Sequence, residues 1–427
     1  MNKKKMLLKA ISLLCVIVLA VGSMSSCMLL MSDGNEDYMT EEEVRDMISG
    51  SLGTTTTVEN VNEYDITIEN NGSANLLAAS KAVLSAVSVS CNFNVSYQNI
   101  FGQNVLGEES SAGAGVIYKL DKTKGDAYII TNYHVVYNAS ATENNGISKS
   151  IKVYLYGLES AKYAISAEYI GGSLTQDLAV LKVTGSQTLL KSNAVAATFT
   201  NSDDVSILDT AIAIGNPAAG GISATVGCVN VDSEEVVILG SDGRTEIAFR
   251  LMRIDTAVNS GNSGGGLFND KGELIGIVNA KITSSSIDNI AYAIPSNIVK
   301  GVADNIIHYC DGTDKVNPYR YVIGITMDNS ELYTVYDEET GKIHKREVVK
   351  IATINAGSIA EGNFKVGDIL KSVSIDGAVY EINRMFQIKD SMFLIYSESE
   401  VVFTVERDGA DVTVPVSFAG AEPSKVN

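Results

Sequence analysis

One hydroxyl, one imidazole and one carboxylate stand in this chain where acyl-transfer chemistry would need them. Ser263 lies in Asn259-Ser260-Gly261-Asn262-Ser263-Gly264-Gly265-Gly266, a loop in which four of eight residues have no side chain. Glycine lets a ligand approach the main chain closely. The main chain of Gly261, Asn262 and Ser263 is a candidate oxyanion hole, with the Gly261 and Ser263 N–H groups turned toward the negative oxygen of a tetrahedral intermediate. By itself such a stretch is also a plain glycine-rich turn. A serine hydroxyl becomes a nucleophile when a base takes its proton, and that base is usually an imidazole oriented by a buried carboxylate. The chain has only three histidines. His134 comes late in the apolar run Ala127–Val136, and Asp177 directly precedes the apolar run Leu178–Val183. The order is His, Asp, Ser, with separations of 43 and 86 residues.

That order is the chymotrypsin-type order. The segments TNYHVV, QDLAVLKV and GNSGGGLF, joined by AIGNP at Ala213–Pro217, resemble the HtrA (DegP-like) family of trypsin-fold serine proteases over roughly residues 76–418. The resemblance implies His134 as general base, Asp177 as its orienting partner and Ser263 as nucleophile. It also implies two six-stranded β-barrels with the active site between them, a C-terminal PDZ domain and a homotrimer. Gly266 departs from the pattern, which usually has proline after GNSGG; the glycine is expected to loosen the strand that leaves Ser263. Ala257 stands six residues before Ser263, where trypsin-like enzymes carry an aspartate that captures Lys or Arg. An unpaired basic side chain would be costly to bury there, so the pocket is expected to take small or medium aliphatic residues. Val278, Asn279 and Ala280, in Leu274–Lys281, are expected to pair with an extended substrate through main-chain hydrogen bonds. The turn Gly240–Gly243 is expected to form a mobile tip.

The elements that must position these groups read as mostly β. Period-two or short apolar runs bounded by turn residues occur at Ala86–Ser90, Ile151–Tyr156, Ala164–Ile170, Leu178–Val183, Val205–Ile214, Ile222–Val229 and Val236–Leu239, a rhythm of barrels or sandwiches. Ser296 is expected to cap a helix running to Cys310, with Ile298, Val299, Val302, Ala303, Ile306 and Ile307 on one buried stripe and His308 off it. Beyond it, Tyr321-Val322-Ile323-Gly324-Ile325 resembles the carboxylate-binding loop and first groove strand of a PDZ domain. A helix near Asn383–Asp390 would line that groove, which would bind peptide C-termini. Pro415 implies an edge strand or bulge, and His344, in the charged insert Asp337–Glu347, is expected to face solvent. The expected divisions are a membrane-targeting segment (1–27), an acidic polar tether (28–75), a trypsin-like protease domain (76–312), a linker (313–318), a PDZ domain (319–418) and a tail (419–427).

Composition bounds the compartment and the partners. The formal net charge of 427 residues is −19, and four lysines within the first 27 residues leave −23 on the rest. Such acidity excludes a phosphate-seeking basic surface, so no nucleic-acid partner is expected. Lysines followed by the apolar Ala10–Val21 form an export signal. Ser25-Ser26-Cys27 resembles a bacterial lipoprotein processing site, with lipidation at Cys27; an uncleaved anchor is the alternative. Either reading puts the body on the extracytoplasmic side of a bacterial cell membrane. Cys91, Cys228 and Cys310 have no C-x-x-C spacing, and no metal or cofactor motif is present, so neither is expected. The expected activity is ATP-independent endoproteolysis of unfolded or misfolded exported proteins. A chaperone-like binder of unfolded polypeptides and a protease that cuts one specific membrane partner are the alternatives.

Overall fold

In the computed structural model, strands from Ala86 to Pro295 close into two barrels. The first contains β1 (Ala86–Gln98), β2 (Asn104–Asp121), β3 (Asp126–Thr131), β4 (Ser150–Leu155), β5 (Ile165–Ser173) and β6 (Leu178–Val183), closing in the order β1-β2-β3-β6-β5-β4. The second contains β7 (Thr210–Gly215), β8 (Ser223–Leu239), β9 (Glu246–Ile254), β10 (Gly266–Phe268), β11 (Leu274–Asn279) and β12 (Ala291–Pro295), closing as β10-β11-β12-β9-β8-β7. The structure describes residues 74–98, 103–156, 158–280, 290–310, 315–328 and 331–427, all within a compact unit spanning 61–427. The readings for residues 1–73, Cys27 included, lie outside the described residues. Among the described residues no helix is long and apolar enough to cross a membrane.

Each barrel encloses its own apolar core, and a third cluster joins them. Leu178 and Val180 of β6 face that shared cluster with Ile212, Ile214, Phe268 and Leu274, whereas Ala179, Leu181 and Val183 face the first barrel's interior. β6 is therefore apolar on both sides. Burying a side chain such as Leu181 or Phe268 from water contributes about 1.5–3 kcal/mol. Helices α1 (Ala74–Val83) and α2 (Ser296–Tyr309) pack against the shared cluster through Ala78, Ala82, Ile298, Val299, Val302 and Ile306.

Three local expectations are corrected. Val205–Asp209 is a turn rather than the start of a strand: Leu208 has φ +73° and the Ser206 N–H donates to Asp209 Oδ2 at 2.9 Å. The two runs at Ile222–Val229 and Val236–Leu239 are one strand, β8. Its polar middle passes through register shifts against β9 between Val229 and Glu234, so polarity marks a bulge there, not an end. Ser296 does not cap α2; its hydroxyl donates to the Thr200 carbonyl at 2.7 Å. Among the described residues Cys91, Cys228 and Cys310 form no disulfide, and burial pushes the pKa of the Cys91 thiol up to about 12.

After α2, β13 (Tyr319–Arg320) leads to a second sheet. It comprises β14 (Ile325–Asp328), β17 (Lys350–Ile354), β18 (Ile369–Ile375), β20 (Val401–Arg407) and β21 (Ala410–Val416) in that order, with β19 (Ala378–Glu381) on β18. β14 and β21 are its edges, so Pro415 sits on an edge strand where a missing N–H is tolerated. A helix, α3 (Met385–Ser391), packs on this sheet through Ile388. The separate hairpin β15 (Leu332–Asp337) and β16 (Lys342–Glu347) lies against the second barrel. There Lys342 Nζ meets Asp209 at 2.6 Å and His344 Nδ1 is 3.4 Å from Ser206 Oγ, so His344 is half-buried rather than solvent-facing. A final strand, β22 (Ser424–Lys425), pairs with β13.

The sheet unit is tied to the barrels by charge as well as by α2. The Arg250 guanidinium meets Asp203 at 3.0 Å, pairs with Asp390, and lies 3.5 Å from the centre of the Phe386 ring. Arg384 bridges Asp232 at 3.2 Å and Glu347 at 3.0 Å.

Candidate active site

His134 stands on a single helical turn, Tyr133–Val136, that follows β3. Asp177 ends the turn between β5 and β6 with φ +47°, a left-handed conformation that aspartate tolerates better than most residues. The two turns are laced together. The Asp177 carbonyl accepts the Tyr133 N–H at 3.1 Å and the Asn132 side-chain amide at 2.9 Å. Its carboxylate accepts the His134 N–H at 3.0 Å, and His134 Nδ1 lies 2.7 Å from Asp177 Oδ2. Asp177 is 3% exposed, so this carboxylate depends on its donors in place of water.

A further donor is Asn279 at the end of β11, whose side-chain amide reaches Asp177 Oδ2 at 2.9 Å. The sequence pointed to the Asn279 main chain for substrate pairing; its side chain has a separate place, on the Asp177 carboxylate. A polar residue closing the apolar run Leu274–Val278 was the available signal. Asn132, also fully buried, carries no comparable signal in the sequence.

Ser263 comes to the same place from the second barrel. Its carbonyl accepts the Ala114 N–H of β2 at 2.8 Å, while the Ala114 carbonyl accepts the Thr131 hydroxyl at 2.7 Å, just before the His134 turn. The fit leaves no room for a side chain after the serine: a Cβ on Gly264, at φ +83°, would lie 2.3 Å from both the Ala114 carbonyl and Thr131 Oγ1. Gly261 has φ +98°, and its carbonyl accepts the Asn216 N–H at 3.2 Å. Asn262 N–H is taken by the Asn259 carbonyl at 3.0 Å, which removes it from any oxyanion role and corrects that part of the expectation. The Gly261 and Ser263 N–H groups have no backbone acceptor among the described residues. Such a pair of donors beside a hydroxyl can stabilise a developing oxyanion.

Val278 is also corrected. Its N–H donates to the Gly265 carbonyl at 2.8 Å and its carbonyl accepts the Gly264 N–H at 3.0 Å, so both groups are spent on the serine loop. Any substrate edge starts later, toward Ala280. Gly266 does not loosen its strand: it pairs with Ile214 and Ile277, and the Phe268 ring occupies the space its side chain would fill. Ala257 is exposed, and its carbonyl accepts the Thr225 hydroxyl at 2.8 Å.

In the second sheet, Tyr321 and Ile323 are core residues, while Val322 is 61% exposed. The Ile323 and Gly324 carbonyls accept N–H groups of Ala360 and Asn355, both at 2.8 Å, and Gly324 has φ +83°. Ile325 opens the edge strand β14. A cleft of about 770 Å³ lies between this unit and the second barrel, lined by Asp203, Arg250, His344, Arg384 and Asp390; it contains neither Ser263 nor His134.

A family model described as a trypsin-like peptidase domain matches residues 113–277, a span that contains His134, Asp177 and Ser263. The serine protease Do-like HtrA of Lactococcus lactis subsp. cremoris (strain MG1363) is 30% identical over 382 residues, covering 85% of this chain and 86% of that protein. The serine protease Do-like HtrA of Bacillus subtilis (strain 168) is 33% identical over 322 residues, covering 73% of this chain and 64% of that one. A solved structure of HtrA-type protease AlgW with a decapeptide is 23% identical, covers 80% of this chain and 96% of its own, and has a TM-score of 0.45. With its two barrels and this relationship along most of its length, the chain belongs to the HtrA family of trypsin-like serine endopeptidases.

Proposed function

We propose that Ser263 attacks the scissile carbonyl, that His134 takes its proton and returns it to the leaving amine, and that Asp177 holds the imidazole in the required tautomer. The observation that carries this reading is the 2.7 Å contact between His134 Nδ1 and a carboxylate 3% exposed, beside a serine loop docked on Ala114. With Nδ1 engaged, Nε2 is left for the serine proton. The Gly261 and Ser263 N–H groups form the oxyanion hole. A substrate lies extended along the chain from Asn279 and Ala280, and the site beside Ala257 takes small or medium aliphatic side chains.

The substrates in this reading are unfolded or misfolded exported polypeptides, because main-chain pairing makes little demand on sequence. The second sheet acts as a PDZ domain: the unpaired edge of β14, entered through Val322-Ile323-Gly324, adds a peptide C-terminus as an extra strand. The N-terminus tethers the enzyme to the outer side of the cell membrane through Cys27, and a Cys27→Ala variant is expected to lose metabolic lipid labelling. Assembly as a homotrimer belongs to the same reading, and sedimentation measures it. The deciding experiment is casein degradation by wild type and Ser263→Ala. The variant is expected to lose degradation and keep its binding of unfolded casein; equal hydrolysis by both would reject the assignment.

A further inference from the structure

The turn that delivers Asp177 is held from outside the barrels. The Thr175 N–H donates to the Asn427 main-chain oxygen at 2.7 Å and the Ser173 hydroxyl donates to the same oxygen at 2.9 Å; the Thr175 hydroxyl joins them. Ser173 Oγ in turn accepts the Gln176 N–H at 3.1 Å, and the Asp177 N–H donates to the Leu174 carbonyl at 3.3 Å. One acceptor at the end of the tail thus organises the four residues that precede the carboxylate.

The tail reaches that point by a defined route. β22 pairs with β13, the Val426 N–H donates to the Pro318 carbonyl at 2.8 Å, and the Val426 side chain packs on the cluster shared by the two barrels. The segment joining α2 to β13 makes a parallel contact of its own. The Val316 N–H donates to the Ile170 carbonyl at 3.1 Å, and its carbonyl accepts the Gly172 N–H at 3.0 Å. A Cβ on Gly171 would lie 2.3 Å from the Val316 carbonyl, so the approach depends on that glycine. The tail therefore ends on the β5–β6 turn, and the segment that enters β13 lies along the last residues of β5 that lead into that turn.

We infer that Ser424–Asn427, together with Val316, is a positioning element of the active site that couples the Asp177 carboxylate to the seating of the C-terminal sheet unit. The inference rests on the proposed role of Asp177. A left-handed aspartate needs its turn held, and a displacement of about 1 Å in a catalytic group costs up to roughly a hundredfold in rate. Losing the tail leaves the substrate site intact, so the effect belongs in kcat and not in KM.

The test is deletion of Ser424–Asn427 from the full chain, read with fluorescently labelled casein and by hydrogen exchange at the Thr175 amide. Deletion is expected to speed exchange at Thr175 and to lower kcat about tenfold, with KM within about twofold. Thr175→Val, which removes one hydroxyl and cannot unfold the sheet unit, is expected to lower kcat about threefold in the same way. Asn427→Ala, which keeps the main-chain oxygen, is expected to match wild type. Unchanged kcat in both the deletion and Thr175→Val overturns the inference, as does unchanged exchange at Thr175 in the deletion. Asp177→Asn separates the two levels. If it retains wild-type kcat, the triad reading fails and takes this inference with it; if it is inactive while the deletion is fully active, only the tail's role fails.

Discussion

At the scale of single residues, the site is organised around a buried carboxylate with several donors. Asp177 accepts the His134 N–H, the Asn279 amide and a bond from the imidazole, and hydrogen bonds to a charged group are each worth about 1.5–3 kcal/mol. Asp177→Asn keeps the shape and offers the imidazole the wrong partner, so kcat is expected to fall by about four orders of magnitude. Asn279→Ala removes one donor and lets the carboxylate turn; kcat is expected to fall roughly tenfold with KM unchanged. A rise in KM alone would instead give the Asn279 side chain to the substrate. The proposed triad was legible in the sequence because His134 and Asp177 are polar residues set against apolar runs and Ser263 lies within a glycine-rich one. Asn279 was not legible in this role. It meets Asp177 across 102 residues of sequence, a contact that exists only once both barrels have closed.

At the scale of elements, the joint between the second barrel and the sheet unit carries charge out of water. Arg250 of β9 faces Asp203, Asp390 and Phe386, with Gln387 donating to Asp203 at 2.8 Å and Arg320 close to Asp390. Burial pushes the Asp390 carboxyl up to about 6, against the pull of Arg250. The folded form thus holds the proton more tightly than the unfolded one. This contribution to stability is complete below about pH 4 and is lost as pH rises through about 6. Asp390→Asn is therefore expected to be nearly neutral at pH 4 and to stabilise progressively above it, on the order of 3 kcal/mol at pH 7, in chemical denaturation. Destabilisation at pH 7 would mean that the Arg250 pair outweighs the burial. Arg250→Ala leaves two carboxylates without their partner and is expected to cost about 3–5 kcal/mol. Elements with strong apolar periodicity, such as β3 and α2, were readable from sequence alone. The continuous β8 was not, because Asp232 and Glu234 are polar for partners on other elements, Arg384 and Arg253.

At the scale of the whole molecule, the proposed specificity site presents Ala257 where a carboxylate would be needed to capture a basic side chain. A library of unfolded peptides is expected to be cut after small or medium aliphatic residues, and cleavage mainly after Lys or Arg would reject that pocket. All of this depends on whether Ser263 is the activated hydroxyl. Labelling with a serine-directed fluorophosphonate, followed by peptide mapping, measures that directly. Wild type is expected to carry one adduct on Ser263, Ser263→Ala none, and Asp177→Asn to label far more slowly; an adduct on another serine, or equal labelling of Ser263→Ala, would contradict the account.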